Sequence, residues 1–178
     1  MGLPFQKVIA SNNLNDTFTK FIESNIYKPK KSVKTISSAM DVGDPSNVIR
    51  VVEFFLNDYY RIKELISAYS FDDSETKNCI KVLSEKYNYI CDPHGAVGYL
   101  GVQKHKEKNK DFNYIFLGTA HFSKFMDEIR DCIKEPISYP KKIEQLLSKD
   151  GESHQIKTYL EFKNYINSKG AFKIFKSR

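Results

Sequence analysis

Cysteine is scarce in this chain, and what there is lies scattered: Cys79, Cys91 and Cys132 share no CxxC spacing. An odd, dispersed set does not make a disulfide framework and fits a reduced, cytosolic (cytoplasmic) protein. HxxxH and HExxH are also absent, so no side chains stand at metal-ligand spacing and no metal is expected. There is no P-loop and no GxSxG. No apolar run comes near the ~20 residues that cross a bilayer, so no membrane partner is expected. The first residues, MGLPFQKVIAS, lack a charged segment followed by an apolar one and do not read as a signal peptide. Clustered Arg and a recognisable motif would accompany specific nucleic-acid binding; neither occurs. No repeat period is visible.

What is present bounds the answer from the other side. A chain of 178 residues, 40% hydrophobic, can bury a real core in one domain. The net charge of +6 comes mostly from Lys spread along the chain, densest at Lys28–Lys34 and Lys104–Lys110. Such Lys-rich stretches read as solvated faces. A basic balance also attracts an anionic substrate.

The pattern alternates strand with helix. Phe5–Ser11 predicts a short strand that opens into the polar run NNLND. Thr17–Ser24 predicts a helix. Asp44 and Pro45 read as N-cap and first helical residue of the next, with Val48, Val51, Val52, Phe55 and Leu56 on one face. A further helix is expected over Tyr60–Ala68. Another starts near Asp72, with Glu75 completing a capping box and Ile80, Leu83 and Tyr87 facing the core. Asp92-Pro93 repeats the cap pattern and begins a helix whose apolar side is Val97, Leu100 and Val102. Gly95, Ala96 and Gly98 leave its first turns nearly bare, so another backbone or a ligand can come close. Phe112–Gly118 (FNYIFLG) is almost continuously apolar, as in a central strand covered on both faces. A helix with Phe122, Phe125, Met126 and Ile129 on one side follows. Ile143–Leu147 reads as helix, and GESHQIKTYLEFKNYINSK as a short strand and a terminal helix. The whole predicts an α/β fold.

Few residues carry recognisable chemistry. Asn13, Asn15 and Asp16 stand at a strand's carboxyl end, where ligands collect in α/β proteins, though Asn there also serves a plain turn. Thr119 ends the apolar strand just before a helix. Its hydroxyl can make one directed hydrogen bond to a ligand, or it can cap that helix. Lys124 in the first turn of the same helix is disfavoured by the helix dipole, which points to an anion nearby. His94 and His121 each sit at a helix start, where they orient a substrate group, move a proton, or simply complete the structure. Cys91 beside His94 reads as a buried thiol rather than a nucleophile.

Five separated motifs, taken in order, resemble one family: MGLP at Met1–Pro4, NLNDTF at Asn13–Phe18, AMDVGDPSN at Ala39–Asn47, DPHGAVGY at Asp92–Tyr99 and GTAHFSKF at Gly118–Phe125. On these the chain resembles threonine synthase, a pyridoxal-phosphate enzyme of the tryptophan-synthase-β-like fold group, from Met1 to about Ile166. The resemblance implies the C-terminal part of a fold type II catalytic domain, a mostly parallel sheet with flanking helices. That part would run over 1–135, with a helical extension over 136–178. It also implies pyridoxal 5'-phosphate as cofactor and O-phosphohomoserine as small-molecule substrate, converted with water to threonine and phosphate. The family's Schiff-base Lys and its Asn-Phe-Gly phosphate loop belong to a part that precedes MGLP. No such segments occur in this sequence, so no catalytic residue is expected in this chain, and alone it is expected to be inactive.

What carries over is limited. The family's Thr-Ala-His threonine faces the cofactor's pyridine nitrogen, and here that position is Thr119. Its Asn-x-Asn-Asp motif falls on Asn13, Asn15 and Asp16, at a strand end facing the cleft. Phe122 and Ser123 replace the family's usual Pro and Ala, and Ser38 replaces the Asn before Ala-Met-Asp. Two rival readings remain: a threonine or serine dehydratase of the same fold group, and a non-catalytic threonine-synthase-like binding protein.

Overall fold

The computed structural model describes residues 4–149, 151 and 153–168. Of the motifs above, Met1–Leu3 of MGLP fall outside that range. The chain divides into two compact units between Ser138 and Tyr139.

The first unit is built on a parallel pair of strands. Val8–Asn12 (β1) lies beside Ile66–Ser70 (β2), with Val8 opposite Ile66 and Asn12 opposite Ser70. Parallel neighbours need a crossover, and here it runs through three helices. They are Thr17–Ser24 (α1), Val48–Phe54 (α2) and Tyr59–Leu65 (α3). Their apolar faces meet β2 in one cluster, with Phe21, Ile22, Val48, Ile62 and Ile66 buried. Each such side chain contributes ~1.5–3 kcal/mol when taken fully out of water.

A second cluster closes the other side. Asp73–Tyr87 (α4) and Pro93–Lys106 (α5) pack against each other and against Met126–Arg130 (α6). Cys79, Ile80, Leu83, Cys91, Ala96, Ile129 and Ile133 are buried there. The caps explain why α4 and α5 begin where they do. Asp72 accepts from the Glu75 N–H at 2.8 Å while Glu75 accepts from the Asp72 N–H at 2.9 Å. Asp92 accepts from the His94 N–H at 3.0 Å, with Pro93 in the first helical position. Among the α5 residues, Gly101 is where the helix touches the sheet: a Cβ there would overlap the Ser11 hydroxyl and lie 3.2 Å from Ile9 Cγ2.

Several expectations shift. The first strand starts at Val8 rather than Phe5. The helix expected over Tyr60–Ala68 stops at Leu65, because Ile66–Ala68 pair with β1 instead; ladder formation overrides the local helical pattern. Asp44 is not a cap. Its carboxylate accepts from the Tyr27 hydroxyl at 2.6 Å, and α2 begins at Val48 after Asn47. Leu56, which the sequence pattern puts on the apolar face, is 84% exposed. It and Asn57 take left-handed backbone, φ 53° and 62°, which turns the chain from α2 into α3. Tyr87 is exposed, and Thr76 and Cys79 occupy the buried face of α4 with Ile80 and Leu83.

The largest departure is Phe112–Gly118. It forms no strand, and Ile115 and Leu117 are 80% and 75% exposed. A central strand needs partners, and the two strands among the described residues pair with each other. The α/β architecture and its parallel pairing stand, on a two-stranded sheet.

Among its described residues, the second unit holds two helices, Lys141–Leu147 (α7) and Tyr159–Ser168 (α8). The short strand expected before α8 is absent among the described residues. Thr158 accepts from the Glu161 N–H instead, at 3.2 Å.

Candidate functional site

At the carboxyl end of β1 the polar run is buried. Asn13 and Asn15 are 2% and 3% exposed. The Asn13 amide nitrogen faces Thr35 Oγ1 at 2.8 Å, Ser37 Oγ at 2.9 Å and Asp41 Oδ1 at 2.9 Å. Its carbonyl oxygen accepts from the Asn15 N–H at 2.9 Å. Asn15 in turn closes a two-way bond with the Val33 backbone, donating at 2.9 Å and accepting at 2.8 Å. These bonds pin residues 33–41 to the strand end and use the polar atoms of both amides. Asp16 pairs with Lys20 at 3.2 Å and with Lys30. Partial burial raises its carboxyl, but the two ammonium groups more than offset this and hold it below the usual carboxylate range.

A cavity of about 720 Å³ lies elsewhere, between the Pro4–Ser11 stretch and the 111–117 segment. Helix α5 supplies His94, Gly98, Val102 and His105 to its wall. Gly98 has open space where a side chain would stand. His105 Nδ1 lies 3.1 Å from the Tyr69 hydroxyl, which ties α5 to β2. Burial, aided by Lys7, pushes the His105 imidazole below its ordinary pKa.

His94 is held by the cap of its own helix. Nδ1 is 3.0 Å from Asp92 Oδ1, and the Phe125 ring packs on it with centroids 4.9 Å apart. Burial alone would raise the Asp92 carboxyl. Its bonds from the His94 ring and from the His94 and Gly95 N–H groups outweigh that, and the net shift is downward. The Asp-x-His spacing in DPHG is the sequence signal for this pair, in which one carboxylate both caps the helix and holds the ring.

Thr119 is exposed, two residues beyond the last cavity-lining residue, Leu117. Its hydroxyl makes no hydrogen bond among the described residues. It is not the cap of the following helix: His121 is, its Nδ1 accepting from the Ser123 N–H at 3.2 Å. The helix expected there is a 3-10 turn, Phe122–Phe125, running into α6. Lys124 is exposed on that turn, while Phe122 and Phe125 pack against the second core cluster.

The structure therefore joins His94 to the cavity and to the Phe122–Phe125 turn. It places Asn13, Asn15 and Asp16 in a separate loop cluster. Of these candidates only His94 lines the cavity. Cys91 is buried and its thiol is pushed up to about 12, chiefly by burial, so it stays protonated at neutral pH.

Residues 95–166 match the family model described as threonine synthase, C-terminal. The chain is 38% identical over 156 residues to a threonine synthase of Buchnera aphidicola, covering 88% of this chain and 35% of that protein. To a threonine synthase of Escherichia coli it is 36% identical over 143 residues, covering 80% and 32%. The solved structure of threonine synthase from Escherichia coli superposes with a TM-score of 0.73 at 35% identity, over 81% of this chain and 33% of that one. A pyridoxal-phosphate-bound threonine synthase from Brucella melitensis superposes with a TM-score of 0.72 at 25% identity, over 84% and 37%. The chain thus spans about a third of the length of the relatives it matches.

Proposed function

We propose that this chain, which corresponds to the C-terminal portion of threonine synthases, serves in a pyridoxal-phosphate lyase that makes threonine and phosphate from O-phosphohomoserine and water. The observation that carries the site is Thr119. It sits in GTAHFSKF at the end of an apolar segment, with an exposed hydroxyl that no described residue engages. That donor fits the pyridine nitrogen of the cofactor. A neutral hydroxyl, unlike a carboxylate, leaves the ring nitrogen unprotonated. The cofactor, when bound, supplies the electron sink for the chemistry. This chain's part is to hold and orient it, because it contains no Schiff-base Lys motif and no Asn-Phe-Gly loop. Alone it is expected to be inactive.

His121 and Lys124 lie on the turn that follows Thr119, and Lys124 offers an unburied cation to the substrate phosphate. Asn13, Asn15 and Asp16 act through structure in this reading: they fix the loop at the end of β1. Three free cysteines favour a reduced, cytoplasmic setting.

The test uses the full-length protein. It should release phosphate and form threonine from O-phosphohomoserine. Thr119→Val should weaken pyridoxal-phosphate binding roughly 2- to 12-fold, the worth of one neutral hydrogen bond. Turnover of free threonine in place of O-phosphohomoserine would move the protein to the dehydratases. Turnover of neither, with a phosphorylated ligand still bound, would make it a binding protein.

A further inference from the structure

The cavity of about 720 Å³ is bounded by two stretches of chain that lack partners. Every residue from Pro4 to Ile9 lines one side, and every residue from Asp111 to Leu117 the other. Side chains of an extended chain alternate between its faces, so walls of consecutive residues present backbone edges to the gap. β1 pairs with β2 along one edge, and no strand lies on its other edge among the described residues. The backbone of Phe112–Leu117 makes no hydrogen bond to other backbone among the described residues. Phe5 and Val8 on one side, and Ile115 and Leu117 on the other, are exposed apolar side chains. Helix α5 adds Gly98 and Val102 to the wall, and the open space at Gly98 lets another chain come close. An unpaired edge beside exposed apolar side chains is the surface on which proteins accept an added strand.

We propose that this gap is a docking groove for one extended segment of the longer polypeptide in which the chain works, added as a strand between β1 and Phe112–Leu117. The chain spans about a third of the length of the relatives it matches, so such proteins hold ample further chain to supply it. A second copy is the poorer occupant. The apolar stretch it could offer is Phe112–Leu117, a wall of its own groove, and lending that stretch dismantles the groove it came from. The docked strand also acts on the site. Thr119 stands two residues past Leu117, and pairing of Phe112–Leu117 sets it at the carboxyl end of a strand, where α/β proteins bind their ligands. The occupant rests on the functional reading above, in which this chain is one portion of a full-length enzyme.

Amide hydrogen exchange over residues 113–117 tests the docking, compared between the 178-residue chain alone and the full-length protein. The amides should exchange freely in the chain alone at every concentration. In the full-length protein they should slow by about tenfold or more, the worth of burying one large apolar side chain. Ile115→Asp should leave the melting temperature of the chain alone unchanged, because that side chain stands in water there. In the full-length protein the same change should restore fast exchange and weaken pyridoxal 5'-phosphate, titrated by its absorbance, by about tenfold or more. Equal exchange in the two forms overturns the proposal. So does protection already present in the chain alone: protection that rises with concentration assigns the groove to a second copy, and protection that does not rise assigns it to the chain's own residues. A full-length Ile115→Asp protein with wild-type exchange and wild-type cofactor affinity overturns it as well. Where that variant fails to fold, the comparison of the two wild-type forms decides. A full-length protein that protects 113–117 but makes no threonine keeps the docking and refutes the functional reading. One that makes threonine while 113–117 exchange freely does the reverse.

Discussion

Replacing Gly101 by Ala tests how closely α5 lies on the sheet. A Cβ built on Gly101 overlaps the Ser11 hydroxyl and falls 3.1 Å from Ser11 Cβ and 3.2 Å from Ile9 Cγ2. The hydroxyl can rotate away. The two carbons belong to β1 and yield only if the helix lifts from the strand. Overpacking of this kind costs ~1–3 kcal/mol. Against it stands the helical preference of Ala over Gly, ~0.8–1 kcal/mol in a helix interior. Gly98, one turn earlier on the same helix, supplies the control. Nothing lies within 4 Å of its added Cβ, so Gly98→Ala gains the preference without the clash. The preference cancels between the two variants. Gly98→Ala should therefore be more stable than Gly101→Ala by ~1–3 kcal/mol. Urea unfolding followed by far-ultraviolet circular dichroism measures that gap at constant slope. Adding Ser11→Ala to Gly101→Ala should recover part of the loss, since one of the clashing atoms is gone. Indistinguishable midpoints for the two glycine variants would refute the packing geometry of α5 on β1.

Asn13→Asp is nearly isosteric but puts an oxygen where the amide nitrogen faces Asp41 Oδ1, 2.9 Å away. Two carboxylates in a buried cluster should cost about 3 kcal/mol or more, read as a lower melting temperature; an unchanged one would show that the cluster is not closed. The thiols of Cys79 and Cys91 are pushed up to about 12 by burial. Aromatic disulfide reagent at pH 8 should therefore label Cys132 first and reach the other two only as fast as the protein opens. Rapid labelling of all three would contradict the packing between α4 and α5.

Local signals carried much of this fold. The capping box at Asp72, the Asp92-Pro93 start of α5 and the span Thr17–Ser24 are fixed by residues within one turn of each other, and the structure reproduces them. What escaped depends on distant partners. Ile66–Ala68 continues a plausible helix until β1, more than fifty residues earlier, offers a ladder. Phe112–Gly118 has the composition of a central strand and, among the described residues, no strand beside it to make it one. The same divide runs through the site. His94, which the structure sets on the cavity wall, stands in a motif that the sequence shows plainly. The bonds of Asn13 to Thr35, Ser37 and Asp41 span a loop of twenty-odd residues, and nothing in the local sequence announces them. The Asp92–His94 contact was hidden in plain view, because one carboxylate caps a helix and holds a ring at once.

The bare stretch FNYIFL has a consequence for handling the molecule. It is six residues without charge, proline or glycine, five of them apolar or aromatic, outside any helix or strand and with Ile115 and Leu117 largely in water. Segments of that kind recruit identical segments from other molecules, since stacking satisfies the backbone and hides the side chains in one step. For this chain on its own, concentration rather than heat is then the stress that ends the native state. Dilution, or a charged residue at Ile115, should prolong the life of a preparation more than any gain in the stability of its core.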